Sequence, residues 1–449
     1  MVTRVILVRH GESSFNVERR VQGFSDLSSL TENGQRDARL VGEALSEVAF
    51  DAVYSSPLRR AKDTAEIVLS CLKQAPKQPW QTTEMLKEIN MVLWEGLLFK
   101  DVEQKYPDEF DQWNHRPHEL KMVIPTAEGT KDYFPVLDLY ERATQFWQGF
   151  LPNHAGQTVL LVAHSGINRA LISTAIGLAP THYQAVHQSN CGISVLNFSG
   201  GWGEGVQIES MNQTAHLGET LPKTKKNYTG PRFLLVRHGE TDWNRQKRFQ
   251  GQIDVPLNDN GRSQSNQAAT YLKDVPIRYA VTSPMLRPKE TAEIILQHHP
   301  DVELELEDNL REISHGLWEG KLEAEIEAEF PGELQRWQQT PEAVQMPEGE
   351  NLQQVWDRSI AAWNSILQTT LDRPEPGITL IVAHDAVNKA LLCYLLGLEP
   401  KNFWSFKQGN GAVSVIDYAG AGSQPVLTCI NSTAHLEGGV LDKTAAGAL

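Results

Sequence analysis

Cysteine is scarce in this chain of 449 residues: Cys71, Cys191, Cys393 and Cys429 are the whole set, and no two form a C-x-x-C pair. That count excludes a disulfide framework, and it makes a reducing interior, the cytoplasm, the expected home. Positive charge is also in deficit, with 41 Lys+Arg against 56 Asp+Glu and a net charge of −15. Such a chain meets nucleic acid and anionic membranes with net repulsion, so an anionic ligand needs a local basic pocket. No apolar run is long enough to span a bilayer, and Arg4-Val5-Ile6-Leu7-Val8-Arg9-His10 is too short and too charged for a signal peptide. Neither nucleic acid nor membrane is expected as a partner. With 40% hydrophobic residues the chain can fill a core in each of several domains, which excludes disorder as its main state.

What the chain does have is an internal repeat. Leu7-Val8-Arg9-His10-Gly11-Glu12 returns as Leu235-Val236-Arg237-His238-Gly239-Glu240. Ser56-Pro57 with Arg60 and Thr64-Ala65-Glu66-Ile67 returns as Ser283-Pro284 with Arg287 and Thr291-Ala292-Glu293-Ile294. Leu86-Lys87-Glu88-Ile89 matches Leu310-Arg311-Glu312-Ile313, Val162-Ala163-His164 matches Val382-Ala383-His384, and Thr214-Ala215-His216-Leu217 matches Thr433-Ala434-His435-Leu436. Order is kept while spacing drifts, as loop-length differences would produce. One domain is therefore written twice: 1–217, a polar linker 218–230 bracketed by Gly and Pro, a second domain 231–437, and a small-residue tail 438–449 expected to fray.

Short β-branched runs alternate with longer stretches of helical spacing in both copies. This predicts two tandem three-layer α/β/α sandwiches, each around a mostly parallel sheet. His10, Arg60 and His164 each follow such a run near a helix start, where strand ends line one crevice. The same geometry is available to His238, Arg287 and His384. A tandem pair can also pack as an intramolecular pseudo-dimer.

Arg9 and Arg60 beside His10, within reach of His164, make a poor site for a divalent metal, because fixed positive charge repels it. No metal and no cofactor are expected. The same groups suit phosphate: guanidinium forks bind phosphoryl oxygens and stabilise charge as it develops on them. A neutral imidazole can attack phosphorus, and Glu88 can give a proton to the leaving oxygen and take one from water. Singly, these motifs are chance occurrences or capping turns; four in fixed order, duplicated, are not.

At these residues the sequence resembles the histidine phosphatase superfamily, which includes phosphoglycerate mutases, over nearly the whole chain, twice. The resemblance implies the α/β sandwich and a role for each residue. His10 and His238 become the phosphorylated histidines, with Arg9, Arg237, Arg60 and Arg287 binding phosphate. Glu88 and Glu312 become proton donors, and His164 and His384 complete the pocket. Asn16, Asn244, Gln22-Gly23 and Gln250-Gly251 fall where the family lines the pocket mouth. Segments such as Gln22-Gly23-Phe24-Ser25-Asp26 and Ala383-His384-Asp385-Ala386-Val387-Asn388 are similar to a two-domain plant form acting on a sugar-acid phosphate.

The copies depart from the pattern in places: Ser29 and Pro288 replace a usual proline and alanine, and Val92 stands where copy two has Gly316. Asp385, after His384, puts a carboxylate beside a phosphate pocket and is expected to weaken anion binding there unless it points away. Arg20 and Arg248 are candidates for a second anionic group. The expected function is metal-independent hydrolysis of a small phosphorylated metabolite through a phosphohistidine. The alternatives are mutase-type transfer, hydrolysis of another ester such as phosphoserine or α-ribazole phosphate, and a phosphometabolite-binding scaffold with one inactive domain. The stretches 88–164 and 312–384 are short for a mutase lid, which favours hydrolysis.

Overall fold

A strand apolar on both faces is stable only between two covering layers, and Val5, Ile6, Leu7 and Val8 are all fully buried. The computed structural model describes residues 2–127, 129–224, 228–373, 377–436 and 439–445. Lys225 and Lys226 of the expected linker, and Gly438 and 446–449 of the expected tail, lie outside the described residues. The chain divides into two compact units after Glu219, with Glu209–Met211 grouped with the second.

In unit 1 the strand Thr3–Arg9 pairs in parallel with Thr158–Ala163, which pairs in parallel with Ala52–Ser55, itself parallel to Gln81–Thr82. Ile193–Phe198 runs antiparallel on the other side of Thr3–Arg9. Helices Glu32–Ala44 and Arg59–Cys71 pack as one pair, Pro135–Phe150 and Ser165–Ala175 as another. Unit 2 repeats the plan. Arg232–Arg237, Ile378–Ala383, Ile277–Thr282 and Leu304–Leu306 form the parallel run, and Val413–Tyr418 pairs antiparallel with Arg232–Arg237. Each unit is thus an α/β fold around a mostly parallel sheet.

Register places the site. Arg9 pairs with Ala163 and Ser55 with Val162, so His10, Ser56 and His164 leave neighbouring strands at the same end. In unit 2 Arg237 pairs with Ala383 and Thr282 with Val382, which does the same for His238, Ser283 and His384. The glycine after each histidine is required by a close approach: a Cβ on Gly11 would sit 2.4 Å from the Gly34 carbonyl oxygen, and one on Gly239 2.4 Å from that of Gly261. The Gly11 amide donates to Thr64 Oγ1 at 3.0 Å, and Thr64 Oγ1 donates to the Arg60 carbonyl at 2.7 Å. That threonine ties the histidine turn to the arginine helix, and Thr291 repeats both bonds.

Some described residues of the expected linker and tail are held by packing and polar contacts. Leu221 packs against the unit 2 core, and Arg232 Nη1 donates to the Pro222 carbonyl at 3.0 Å. Asp442, in the segment expected to fray, is buried, ion-paired with Lys407 at 3.2 Å, and accepts from Asn431 Nδ2 at 3.3 Å.

Gly11→Ala is expected to destabilise unit 1 by about 2 kcal/mol through overpacking against the Gly34 backbone. Urea unfolding measures this; a loss below about 0.5 kcal/mol would contradict the close approach.

Candidate active site

In unit 1 the His10 and His164 rings meet edge-on with centroids 5.1 Å apart. His10 Nδ1 lies 2.7 Å from the Gly11 carbonyl oxygen. A carbonyl only accepts, so Nδ1 carries the proton and the Nε2 lone pair is left free. Arg60 is fully buried, and its terminal nitrogens donate to the Ser25 and Gly23 carbonyls at 2.8 and 3.0 Å. Gly23 adopts φ +49°, a left-handed conformation that aims this carbonyl. Arg9 Nη1 donates to the Gln188 carbonyl at 2.7 Å. The Nε atoms of Arg9 and Arg60 and both ring nitrogens of His164 are buried without hydrogen-bond partners. Buried polar groups are rarely left so, and here they line one cradle.

The remaining expected residues surround it. Asn16 caps its own helix turn, accepting from the Ser13 amide at 3.1 Å, and also accepts from Asn190 Nδ2 at 3.3 Å. Gln22 Oε1 accepts from the hydroxyls of Ser13 and Ser28 at 3.1 and 3.0 Å, which turns its amide nitrogen away from them. Glu88 is clamped by backbone amides: Ile89 at 2.8 Å, Ile167 at 3.2 Å and Gly166 at 3.2 Å. The last two belong to the first turn of Ser165–Ala175, where helix amides point outward. Arg9, Asn16, Gln22, Gly23 and Glu88 line one open cleft together with Arg20 and Arg169.

Charge in the cleft is mostly positive. Burial, then the Arg60 and Arg9 guanidiniums, hold the His10 imidazole far below the ordinary histidine range. His164 is lowered by burial, Arg60, His10 and Arg9. Burial pushes Arg9 and Arg60 down to about 10, which leaves both charged at neutral pH. Two neutral imidazoles and two guanidiniums form a cradle for an anion.

Unit 2 assembles the same set with a different balance. His238 and His384 lie 5.2 Å apart, and His238 Nδ1 is 2.7 Å from the Gly239 carbonyl. Arg287 Nη2 donates to the Gly251 carbonyl at 2.8 Å, Arg237 Nη1 to that of Gln408 at 2.5 Å, and Asn410 Nδ2 to Asn244 Oδ1 at 3.2 Å. Gln250 is buried nearby in sequence to Gly251, and Glu312 accepts from the Ile313 and Ala386 amides at 3.0 and 3.2 Å. Four contacts distinguish this copy. Arg287 Nε donates to His238 Nε2 at 3.2 Å, His384 Nε2 meets Ser283 Oγ at 2.9 Å, and Asp385 is ion-paired with Arg237 at 3.5 Å and Lys389 at 2.6 Å. The carboxylate does not point away. Burial and the Asp385 charge raise Glu312 above the ordinary carboxyl value.

Arg20 lies on the unit 1 cleft, but its Nε pairs with Glu18 at 2.5 Å and its Nη1 donates to the Gly96 carbonyl. Arg248 donates to the Gly320 carbonyl and pairs with Glu325 at 3.6 Å. Trp94 and Trp318 are buried anchors. No role is predicted from the sequence for Ser13, Asn190, Ser165 or Arg169. The available signal for the last two was concerted change: Ser165 and Arg169, one helical turn apart, become Asp385 and Lys389 in copy two.

Comparison with known proteins places this geometry in a family. The model of the histidine phosphatase superfamily (branch 1) matches residues 5–214 and again 233–432. The chain belongs to that superfamily, and it is an enzyme of the phosphatase type. Among its relatives is 2-carboxy-D-arabinitol-1-phosphatase of Triticum aestivum, 30% identical over 96% of this chain and 86% of that protein. A probable 2-carboxy-D-arabinitol-1-phosphatase of Arabidopsis thaliana is 31% identical over 96% and 88%. Phosphoserine phosphatase 1 of Hydrogenobacter thermophilus is 31% identical over 46% of this chain and 94% of its own length. No helix among the described residues is long and apolar enough to cross a membrane.

The buried imidazoles make stability depend on pH with a definite sign. An unfolded histidine binds a proton near 6.5, whereas His10, His164, His238 and His384 in the fold do not. The unfolded state therefore binds more protons, and stability falls as pH drops below about 6.5. The urea midpoint is expected to fall between pH 7 and pH 5, less steeply in a His10→Gln, His238→Gln double variant. An unchanged or steeper slope in that variant would contradict the assignment.

Proposed function

We propose that the chain hydrolyses a phosphomonoester of a small sugar acid or similar metabolite, without a metal, through a phosphohistidine on His10. The observation that carries this reading is the His10 Nδ1 bond to Gly11, which leaves Nε2 as a free lone pair among unpartnered cationic nitrogens. Arg9, Arg60 and His164 hold the non-bridging oxygens and stabilise their charge in transfer. Nε2 forms a bond to phosphorus as the ester P–O bond breaks, and the leaving oxygen takes a proton from the Glu88 carboxyl. Glu88 then takes a proton from water, whose oxygen displaces Nε2 from phosphorus, releasing inorganic phosphate and neutral His10. Asn16, Gln22 and Gly23 shape the mouth.

His238, Arg237, Arg287, Glu312, His384, Asn244, Gln250 and Gly251 offer the same parts in unit 2. There, however, Arg287 occupies the His238 lone pair and Asp385 takes up charge on Arg237. Both contacts favour unit 1 as the main site of turnover and leave unit 2 nearer the scaffold reading. The relatives' names support the substrate class. The four free cysteines support a reducing compartment such as the cytoplasm.

Hydrolysis of 4-nitrophenyl phosphate in excess chelator is expected to persist. His10→Ala should lower kcat by about a thousandfold, and His238→Ala by less than about twofold. Equal losses, or a larger loss from His238→Ala, would contradict the division between units. Loss of turnover on chelation would contradict the metal-independent route.

A further inference from the structure

The two copies differ consistently around their clefts. Arg9, Asn16, Gln22, Glu88, Ser165 and Arg169 are each half-buried, whereas the matching Arg237, Asn244, Gln250, Glu312, Asp385 and Lys389 are each buried. In unit 2, Lys389 is sealed beneath aromatic rings, its Nζ 4.5 Å from the Trp404 centroid and 5.2 Å from that of Phe403. Its charge is met by Asp385 Oδ2 at 2.6 Å, while Oδ1 faces Arg237 at 3.5 Å. A carboxylate thus bridges the phosphate-site arginine and the cation one helical turn beyond the late histidine.

Unit 1 has the two cations without the bridge. Arg169 stands over the Tyr183 ring at 5.5 Å, lines the cleft beside Arg9, Glu88 and Ser165, and buries its Nε without a hydrogen-bond partner. Ser165, where copy two has Asp385, carries no charge. The Arg169 guanidinium, on the cleft beside Arg9, is shaped to receive a planar, two-oxygen anion.

We infer that Arg169 is the specificity-determining residue of unit 1, holding a carboxylate that the substrate carries close to its phosphate, and that Asp385 fills the same place in unit 2. This rests on the reading of unit 1 as the hydrolytic site. The second copy displays, within the same chain, the group that the first copy lacks. It follows that unit 2 disfavours acidic esters, because its bridge is already occupied.

The test uses the full chain carrying His238→Ala, with 4-nitrophenyl phosphate as reporter. The competitive inhibition constants of glycerol 3-phosphate and 3-phosphoglycerate, which differ by one carboxylate, are compared as a ratio. The parent should prefer 3-phosphoglycerate, and Arg169→Ala should reduce that preference by about thirtyfold, as expected for losing one partner of a buried charge pair. Arg169→Lys should restore part of it, since Lys389 holds a carboxylate in copy two. Ser165→Asp, a substitution at a helix first turn that favours acidic residues, should abolish the preference, and adding Arg169→Ala to it should change nothing further. A preference unchanged in both Arg169→Ala and Ser165→Asp would overturn the inference, as would equal weakening of both inhibitors by Arg169→Ala, which would assign Arg169 to the phosphate. Failure of the parent to hydrolyse the reporter would count against the hydrolytic reading of unit 1 instead.

Discussion

Buried positive charge is the constraint on which the rest of unit 1 depends: Arg9 and Arg60 feel the Glu88 carboxyl, yet among the described residues neither is held in an ion pair. Arg60 is fully buried, and its guanidinium is held by main-chain carbonyls of Gly23 and Ser25. Carbonyl dipoles can fix such a group in place but cannot cancel its charge, so the site favours a bound anion. Much of the local architecture serves to hold this unfavourable arrangement. The Gly11 to Gly34 contact, the Thr64 bridge and the positive φ at Gly23 each pin a segment carrying one of the charged or ring groups.

The same strand register serves both copies, yet their electrostatics diverge. Fold and charge balance are separable because parallel pairing fixes where residues 10, 60 and 164 emerge, whatever side chain follows. In unit 2 the excess positive charge is met internally by Asp385, and the imidazole lone pair is met by Arg287. One duplicated framework thus carries an open cradle and a partly self-satisfied one. A substitution at the first residue of a helix, serine in one copy and aspartate in the other, accounts for much of the difference.

Much of this was legible in the sequence. Motifs in a fixed order, written twice, identify the duplicated α/β plan and the residues that converge, because strand ends in parallel sheets bring such positions together. Less legible was anything set by side-chain direction. Asp385 was visible as a carboxylate beside the pocket, but its partners were not: Lys389 lies one helical turn away, and the Arg237 contact needs the sheet register to be known. Arg169 belongs to no motif: its concerted change with Ser165 could be read from the sequence, but its buried Nε and the matching salt bridge in copy two could not. The environment of Asp442 was illegible for a related reason. The small residues around it lack the apolar weight of a docked segment, yet its carboxylate is buried and paired with Lys407.

The central claim is that the His10 imidazole accepts the phosphoryl group in unit 1. It is tested most directly by rapid alkaline quench during turnover, followed by peptide mapping for a phosphoryl adduct on nitrogen. The account predicts an acid-labile, alkali-stable adduct on the peptide containing His10, absent from His10→Ala. An adduct on a serine hydroxyl, or full turnover in His10→Ala with no adduct on either His10 or His238, would contradict it.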